Sequence, residues 1–379
     1  MKLVKFYYAE HLKNPRAWEL KEFDVNDINL IVGANASGKS RTLNVIAGLS
    51  RLLLESKIRY LNGTYRAQFI SKDKKELVYF VQLEKGIVHK EELFLNGVIH
   101  LKRSKNGEGK IKGLEIGRDI KFKIPTDELA ALRRDEIQHP FLNYLFEWAS
   151  NLRHFRFAQD EAKRTLVLFE SHQQKKEEID LRETDRTVVI FKKGLKRIGD
   201  TFLKNIIKDF NKIGYSIQNV SLVPLIDQLD SPLSSKLFGL SVKENDREGE
   251  TDQRTMSEGM FRALSIIIDF NYYQLSNLSD LFILIDDIGE GLDYERSTKL
   301  IKLIIKKSIK IGLQLVMATN NKFVMNNTKL EYWQLIHRKG GVINMHNISN
   351  SLDILEQFKF TGLNNFDYFS TNFFKTGLK

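Results

Sequence analysis

The chain has 379 residues, 42% hydrophobic and 28% charged, the composition of a folded globular protein with room for one large domain or two modest ones. It contains no cysteine, which excludes disulfides, zinc knuckles, iron–sulfur ligation and thiol nucleophiles and leaves oxygen ligands for any metal. A net charge of +11 suits an anionic partner, although the basic residues are scattered along the chain. The N-terminus MKLVKFYYAE lacks the apolar core of a signal peptide, and the longest apolar runs, LFILI and LSIII, are too short to span a bilayer. A cytoplasmic protein with no membrane partner is expected.

In chain order, KLVKFYYAE, AWELKEFDV and INLIVG read as strands, the last running into Gly33-Ala34-Asn35-Ala36-Ser37-Gly38-Lys39-Ser40 and a helix from Arg41 to about Leu53. This is the phosphate-loop pattern in its strand, loop, helix context. Gly33 and Gly38 let the backbone turn so that consecutive N–H groups face phosphate oxygens. Lys39 supplies a point charge for β- and γ-phosphates, the Ser40 hydroxyl is a Mg2+ ligand, and the helix aims its positive end at the nucleotide. Alternating runs such as ELVYFVQL and LFLNGVIHL then predict a mixed sheet with hairpins on one flank.

From Thr126 to about Phe155 the pattern is helical, and a second long helix is predicted from Val188 to about Ile213. Thr165 to Glu170 reads as a strand between them, and His172 to Thr187 as a charged surface excursion. A polar stretch from Lys243 to Arg254 leads into a helix whose first turn carries Ser257 and Gly259. A buried strand Leu281 to Asp286, a helix striped with Lys299, Lys302, Lys306, Lys307 and Lys310, and a buried strand Leu313 to Asn320 follow, an order that argues for parallel pairing. The lysine stripe reads as a solvated face or as a nucleic-acid or partner contact, and the aromatic segment Phe358 to Phe374 as a tail that packs on its own domain or docks a partner or second subunit.

The run Phe282-Ile283-Leu284-Ile285-Asp286-Asp287 supplies what a phosphate loop needs beside it, a carboxylate at the end of a buried strand. Asp286 is the metal-site candidate. Asp287 points elsewhere and is placed to orient or deprotonate an attacking water, with Glu290 competing for that role.

The order of these motifs resembles that of the ABC-type ATPases of the SMC, RecF and OLD type, a group of AAA family ATPases, with this chain as a coil-less stand-alone member. The resemblance covers roughly residues 1–60 and 250–325. Within it GANASGKS resembles Walker A, with Arg41 next to it, Met256-Ser257-Glu258-Gly259-Met260 the signature, ILIDD Walker B, Gly291-Leu292-Asp293 the D-loop, and Thr319-Asn320 the switch. It implies an α/β P-loop NTPase of ABC/SMC-head type with a mixed central sheet, flanking β-hairpins and a helical insertion. The implied organisation is a nucleotide-binding lobe over 1–125, a mainly helical insertion over 126–250, a second lobe over 251–350, and an aromatic-rich tail over 351–379.

It also implies ATP and Mg2+ as cofactors and hydrolysis slowed by Asp287 standing where the family has a glutamate. Glu258 replaces a signature glycine and Asn320 a common switch histidine; Gln138 and Gln159 both remain open as the Q-loop glutamine. In the family the signature of one subunit caps the nucleotide held by another, so the resemblance implies a second copy as partner, with Ser257, Gly259 and Asp293 at the junction. The role implied is an ATP-gated switch controlling a separate effector, as in bacterial anti-phage defence or toxin-type modules. The alternatives are a RecF/SMC-like ATPase acting on DNA in repair, and an ATP-stabilised scaffold that sequesters an effector without turnover.

Overall fold

A computed structural model describes residues 1–55, 58, 62–156, 167–168, 187–224, 237–278 and 280–377. The first half runs β1 (Lys2–Glu10), β2 (Trp18–Asp24), β3 (Ile28–Val32), α1 (Lys39–Leu52), β4 (Gly63–Ile70), β5 (Glu76–Glu84), β6 (Ile87–Leu95), β7 (Val98–Ser104), β8 (Glu108–Gly113), β9 (Arg118–Lys123), α2 (Asn143–Ser150) and β10 (Leu152–Phe155). Then come β11 (Val167–Leu168), α3 (Thr187–Ile198), α4 (Asp200–Lys212), β12 (Ile217–Pro224), β13 (Leu237–Glu244), β14 (Glu250–Asp252), α5 (Glu258–Leu275), β15 (Phe282–Ile285), α6 (Tyr294–Ile311) and β16 (Gln314–Thr319). The chain closes with α7 (Lys322–Asn326), β17 (Trp333–Lys339), β18 (Val342–His346), α8 (Ile348–Lys359), α9 (Asn365–Ser370) and α10 (Phe373–Thr376).

Fourteen strands form one sheet in the order β10-β15-β16-β3-β17-β18-β2-β1-β4-β5-β6-β7-β8-β9. From β10 to β17 the pairing is parallel, and from β2 through β1 and β4 to β9 it is antiparallel. The two halves differ in burial for a reason legible in their residues. Strands β3, β15 and β16 are buried along their whole length and read as near-continuous apolar runs, as strands covered on both faces do, with the buried polar Asn29, Gln314 and Thr319 hydrogen-bonded to neighbouring backbone. Strand β5 alternates buried and accessible, as a strand with one wet face does.

The central strands divide two cores between them. Leu30, Ile283 and Met317 face one core with α5 and α6, while Ile31, Leu284 and Val316 face the other with α1, the period-two alternation of a strand. The phosphate-loop helix and the helix after Ser257 thus lie on opposite faces of one sheet. A second sheet, β11-β13-β12 with β14 on β13, joins the first core beside α3 and α4. Among the described residues no helix is long and apolar enough to cross a membrane.

Several expectations need correction. The helix expected over 126–155 is instead two 3-10 turns, the short α2 and strand β10; the apolar periodicity runs on through Pro140, but a helix cannot, because proline has no N–H to donate and can only begin a new turn there. The single helix expected over 188–213 is two, broken at Gly199, whose φ of 73° lies outside the helical region. The polar stretch from Lys243 to Arg254 contains a hairpin turn between β13 and β14, so the central segment contributes a sheet as well as helices. The strand expected from Thr165 to Glu170 is described only at Val167–Leu168, and most of 172–187 lies outside the described residues.

The lysine stripe of α6 is also not uniform. Lys307 is buried, 2.8 Å from the Asp209 carboxylate on α4, and donates to Asn271 Oδ1 and Gln274 Oε1 on α5 at 2.9 Å each. On the same helix the apolar Ile309 is 60% exposed. The aromatic tail packs on its own domain: Phe358, Tyr368 and Phe374 are buried, with the Tyr368 ring 6.3 Å from Trp333.

Candidate nucleotide site

The loop after β3 closes tightly around its own lysine. Gly38 caps α1 at φ 109°, a left-handed conformation that favours glycine. A Cβ on Gly33 would fall 2.4 Å from Ile336 Cγ2 and 2.7 Å from the Ile336 carbonyl oxygen, so no side chain fits there. Lys39 is buried and its Nζ donates to the carbonyls of Gly33 at 3.0 Å and Ala34 at 2.9 Å. Burial pulls its ammonium below the usual lysine range, while the nearby Asp287 and Asp286 carboxylates oppose the shift. The buried Ser37 Oγ has no hydrogen-bond partner among the described residues, a polar atom left over in a loop shaped for polar ligands.

Strand β15 lies two places from β3, across β16, and carries its acids to the same end of the sheet. Asp286 Oδ1 accepts from Ser40 Oγ and from the Asp287 N–H, both at 3.1 Å. Burial first, then the Asp287 charge, raises the Asp286 carboxyl above its ordinary range. Asp287 itself sits at φ 49°, turned away from the strand path.

A cavity of about 380 Å³ opens at this point, with Lys39, Ser40, Asp287 and Asn320 on its walls together with Asn35, Ala36, Gly38 and Arg41. Asn320 is held between two residues that fasten neighbouring loops. Thr319 Oγ1 donates to the Ile288 carbonyl at 2.9 Å, and Asn321 Nδ2 to the Gly289 carbonyl at 3.0 Å. The donor set fits the group expected there: Ser40 and Asp286 are adjacent oxygen donors for Mg2+, and Lys39 with the loop amides is suited to phosphate.

Two residues of the cavity were not singled out in the sequence, Trp18 and Arg338. The Arg41 guanidinium lies 4.4 Å over the Trp18 ring and pairs with Glu10. Arg338 donates from Nη1 to the Ala36 carbonyl at 3.2 Å and so ties β17 to the loop. Neither stands in a recognisable motif; only strand pairing brings them here.

The other candidates form a second cluster outside the cavity. Ser257 caps α5, its Oγ accepting from the Met260 N–H at 3.2 Å. Asp293 caps α6, accepting from the Arg296 N–H at 2.9 Å and Arg296 Nη1 at 2.6 Å, and these bonds hold its carboxyl below the usual range. Gly259 joins the two: a Cβ there would lie 2.1 Å from the Gly291 carbonyl oxygen. Glu290 belongs to this cluster, 3.5 Å from Arg262, which lies at the same distance from Glu258. Among the sequence candidates for the base, the structure places Asp287 on the cavity and Glu290 with the signature turn. Gln138 lies in the loop that pairs with Leu114, and Gln159, four residues past β10, is outside the described residues.

This architecture is an SMC head-like fold, a P-loop NTPase fold of SMC/ABC type. The SmcHead bound to the C-winged helix domain of ScpA is similar over 91% of this chain and 97% of that one, with a TM-score of 0.51 at 15% identity. The SMC head domain from Thermotoga maritima covers 92% and 99% (TM-score 0.45, 14% identity), and the Smc head domain with a coiled coil and joint derived from Pyrococcus yayanosii covers 94% and 99% (0.46, 14%). No protein-family model matches the chain, and no curated protein is detectably similar to it in sequence.

Proposed function

We propose that the chain is a cytoplasmic ATP-binding, slowly hydrolysing ATPase that works as an ATP-gated dimeric switch on a separate effector. The observation that carries this reading is the separation of two half-sites. Lys39, Ser40, Asp286, Asp287 and Asn320 gather at the cavity, whereas Ser257, Gly259 and Asp293 gather elsewhere and do not line it. A second copy, placed head to tail, would bring the N-terminus of α5 over the γ-phosphate held by the first.

Lys39 and the loop amides hold the β- and γ-phosphates, and Asn320 faces the γ-position as a neutral hydrogen-bonding group. Bound Mg2+, held by Ser40 and Asp286, would supply Lewis-acid neutralisation of phosphate charge. Asp287 orients the attacking water and accepts its proton; an aspartate reaches one methylene less far than a glutamate, which favours a long-lived closed state. That an SMC head binds the C-winged helix domain of ScpA supports a separate protein as the recipient of the conformational change. The assignment of that recipient to an anti-phage defence or toxin-type module rests on the motif resemblance.

Light scattering on Asp287→Ala tests the reading. With ATP and Mg2+ the mass should double and with ADP it should not; a monomer in both, with ATP binding intact, removes the switch. Unchanged effector control by Asp287→Ala would move the proposal to the scaffold alternative, in which turnover has no role.

A further inference from the structure

The outer face of the antiparallel half carries a charge pattern that its own fold does not use. On β7, β8 and β9, Lys102 stands directly opposite Lys110, and Lys110 directly opposite Lys121. All three are exposed, and among the described residues none has an acidic partner. The flanking registers of β8 and β9 are matched instead: Glu108 faces Lys123 at 3.2 Å and Asp119 faces Lys112 at 3.7 Å. Like charges opposite one another disfavour strand pairing. An edge strand gains from lysine as protection against strand addition, which accounts for Lys121 but not for Lys110 and Lys102, one and two strands further in.

The same row continues inward through Glu92 to Phe80. Glu92 is neutralised by Lys90 at 2.8 Å, and that ammonium also lies 5.1 Å over the Phe80 ring. Phe94 is diagonal to Phe80, and the two half-buried rings line a shallow cavity of about 380 Å³ on this face. At a strand spacing of about 4.8 Å, the rings lie within roughly 5–20 Å of the lysine row. Uncompensated positive charge beside accessible aromatic faces is the combination that holds an unpaired polynucleotide, whose bases can stack while its phosphates meet the lysines. A duplex hides its base faces, and an acidic peptide or an anionic lipid surface would meet the lysines without presenting a row of planar bases to the rings.

We propose that the outer face of β5–β9 binds single-stranded nucleic acid, with Lys102, Lys110 and Lys121 contacting phosphates and Phe80 and Phe94 stacking on bases. This surface is independent of the phosphate loop, so Lys39→Ala should bind as the unaltered chain does. The test is fluorescence anisotropy of a labelled oligothymidylate of about 30 nucleotides, titrated from about 50 to about 200 mM salt.

Replacing the three lysines by glutamine should lower the salt slope by about 2, at about 0.7 per phosphate lost on a single strand. Phe80→Ala and Phe94→Ala should each weaken binding about 10-fold without moving the slope, and Phe80→Tyr should restore it. Unchanged melting curves confirm that the variants are folded. No binding at the lowest salt, an unchanged slope in the lysine variant, or equal affinity for a duplex of the same length overturns the proposal. So does equally effective competition by polyglutamate or by phosphatidylserine vesicles, which would identify a general anion surface.

Discussion

The phosphate loop and the signature turn are both shaped by glycine, and glycine does opposite things in them. At the loop, Gly33 and Gly38 let backbone curve around a hollow, leaving a cavity with a buried lysine on its wall. At the signature turn, Gly259 and Gly291 remove the space altogether and press two chain segments together. The loop is therefore a preformed site in a single chain. The signature turn is a preformed surface: Ser257 and Asp293 accept the N–H groups that cap their own helices, and the cap leaves the Ser257 O–H to donate to a ligand. Under the proposed function, a second copy supplies the surface half to the concave half.

Substitutions can break this contrast on either side. Asp287→Ala should lower kcat about 10²- to 10⁴-fold in a phosphate-release assay, the usual range for a lost general base, while ATP affinity stays within a few fold. Lys39→Ala should weaken ATP binding by calorimetry about 100-fold, the loss of charge-assisted bonds to phosphate, and leave the signature turn intact. Gly259→Ala should do the reverse. Its Cβ meets the Gly291 carbonyl at 2.1 Å, so the turn must shift, costing about 1–3 kcal/mol and abolishing ATP-dependent dimerisation at unchanged ATP affinity. Equal loss of ATP binding in Gly259→Ala would mean that the two halves are one site.

The last effect is one of pH alone and concerns the helix that carries the signature. Asp269 on α5 is fully buried, accepts from Tyr273 OH at 2.9 Å, and burial pushes its carboxyl up to about 8. Its folded-state value lies above its unfolded one, so the stability it contributes is complete below about pH 4 and fades as pH rises through about 8. Asp269→Asn should flatten the dependence of unfolding free energy on pH over that window, by on the order of 1 kcal/mol per pH unit.

Much of the site was legible because its chemistry is local in sequence. Eight consecutive residues define the loop, and an apolar run ending in Asp286-Asp287 identifies its partner strand without knowledge of the pairing. What was not legible depends on distant pairing. Trp18 and Arg338 reach the cavity because β18 pairs with both β2 and β17, with Val342 opposite Glu19 and Ile343 opposite Arg338, and no local pattern announces the first of these. Lys307 looked like one more exposed lysine because its partner, Asp209, lies 98 positions earlier in the numbering. The overestimated helices show the converse: apolar periodicity continued past Pro140 and Gly199, where the backbone could not.

Mixing two inactive variants tests the central claim most directly. Lys39→Ala lacks the lysine that meets the β- and γ-phosphates but keeps its signature turn; Ser257→Arg keeps the phosphate loop but should not cap the nucleotide. Each alone should show no ATPase activity above background, and an equimolar mixture should recover activity through dimers that contain one intact composite site. Failure of the mixture to recover, with both proteins folded and Ser257→Arg still binding ATP, would contradict a site completed by a second copy.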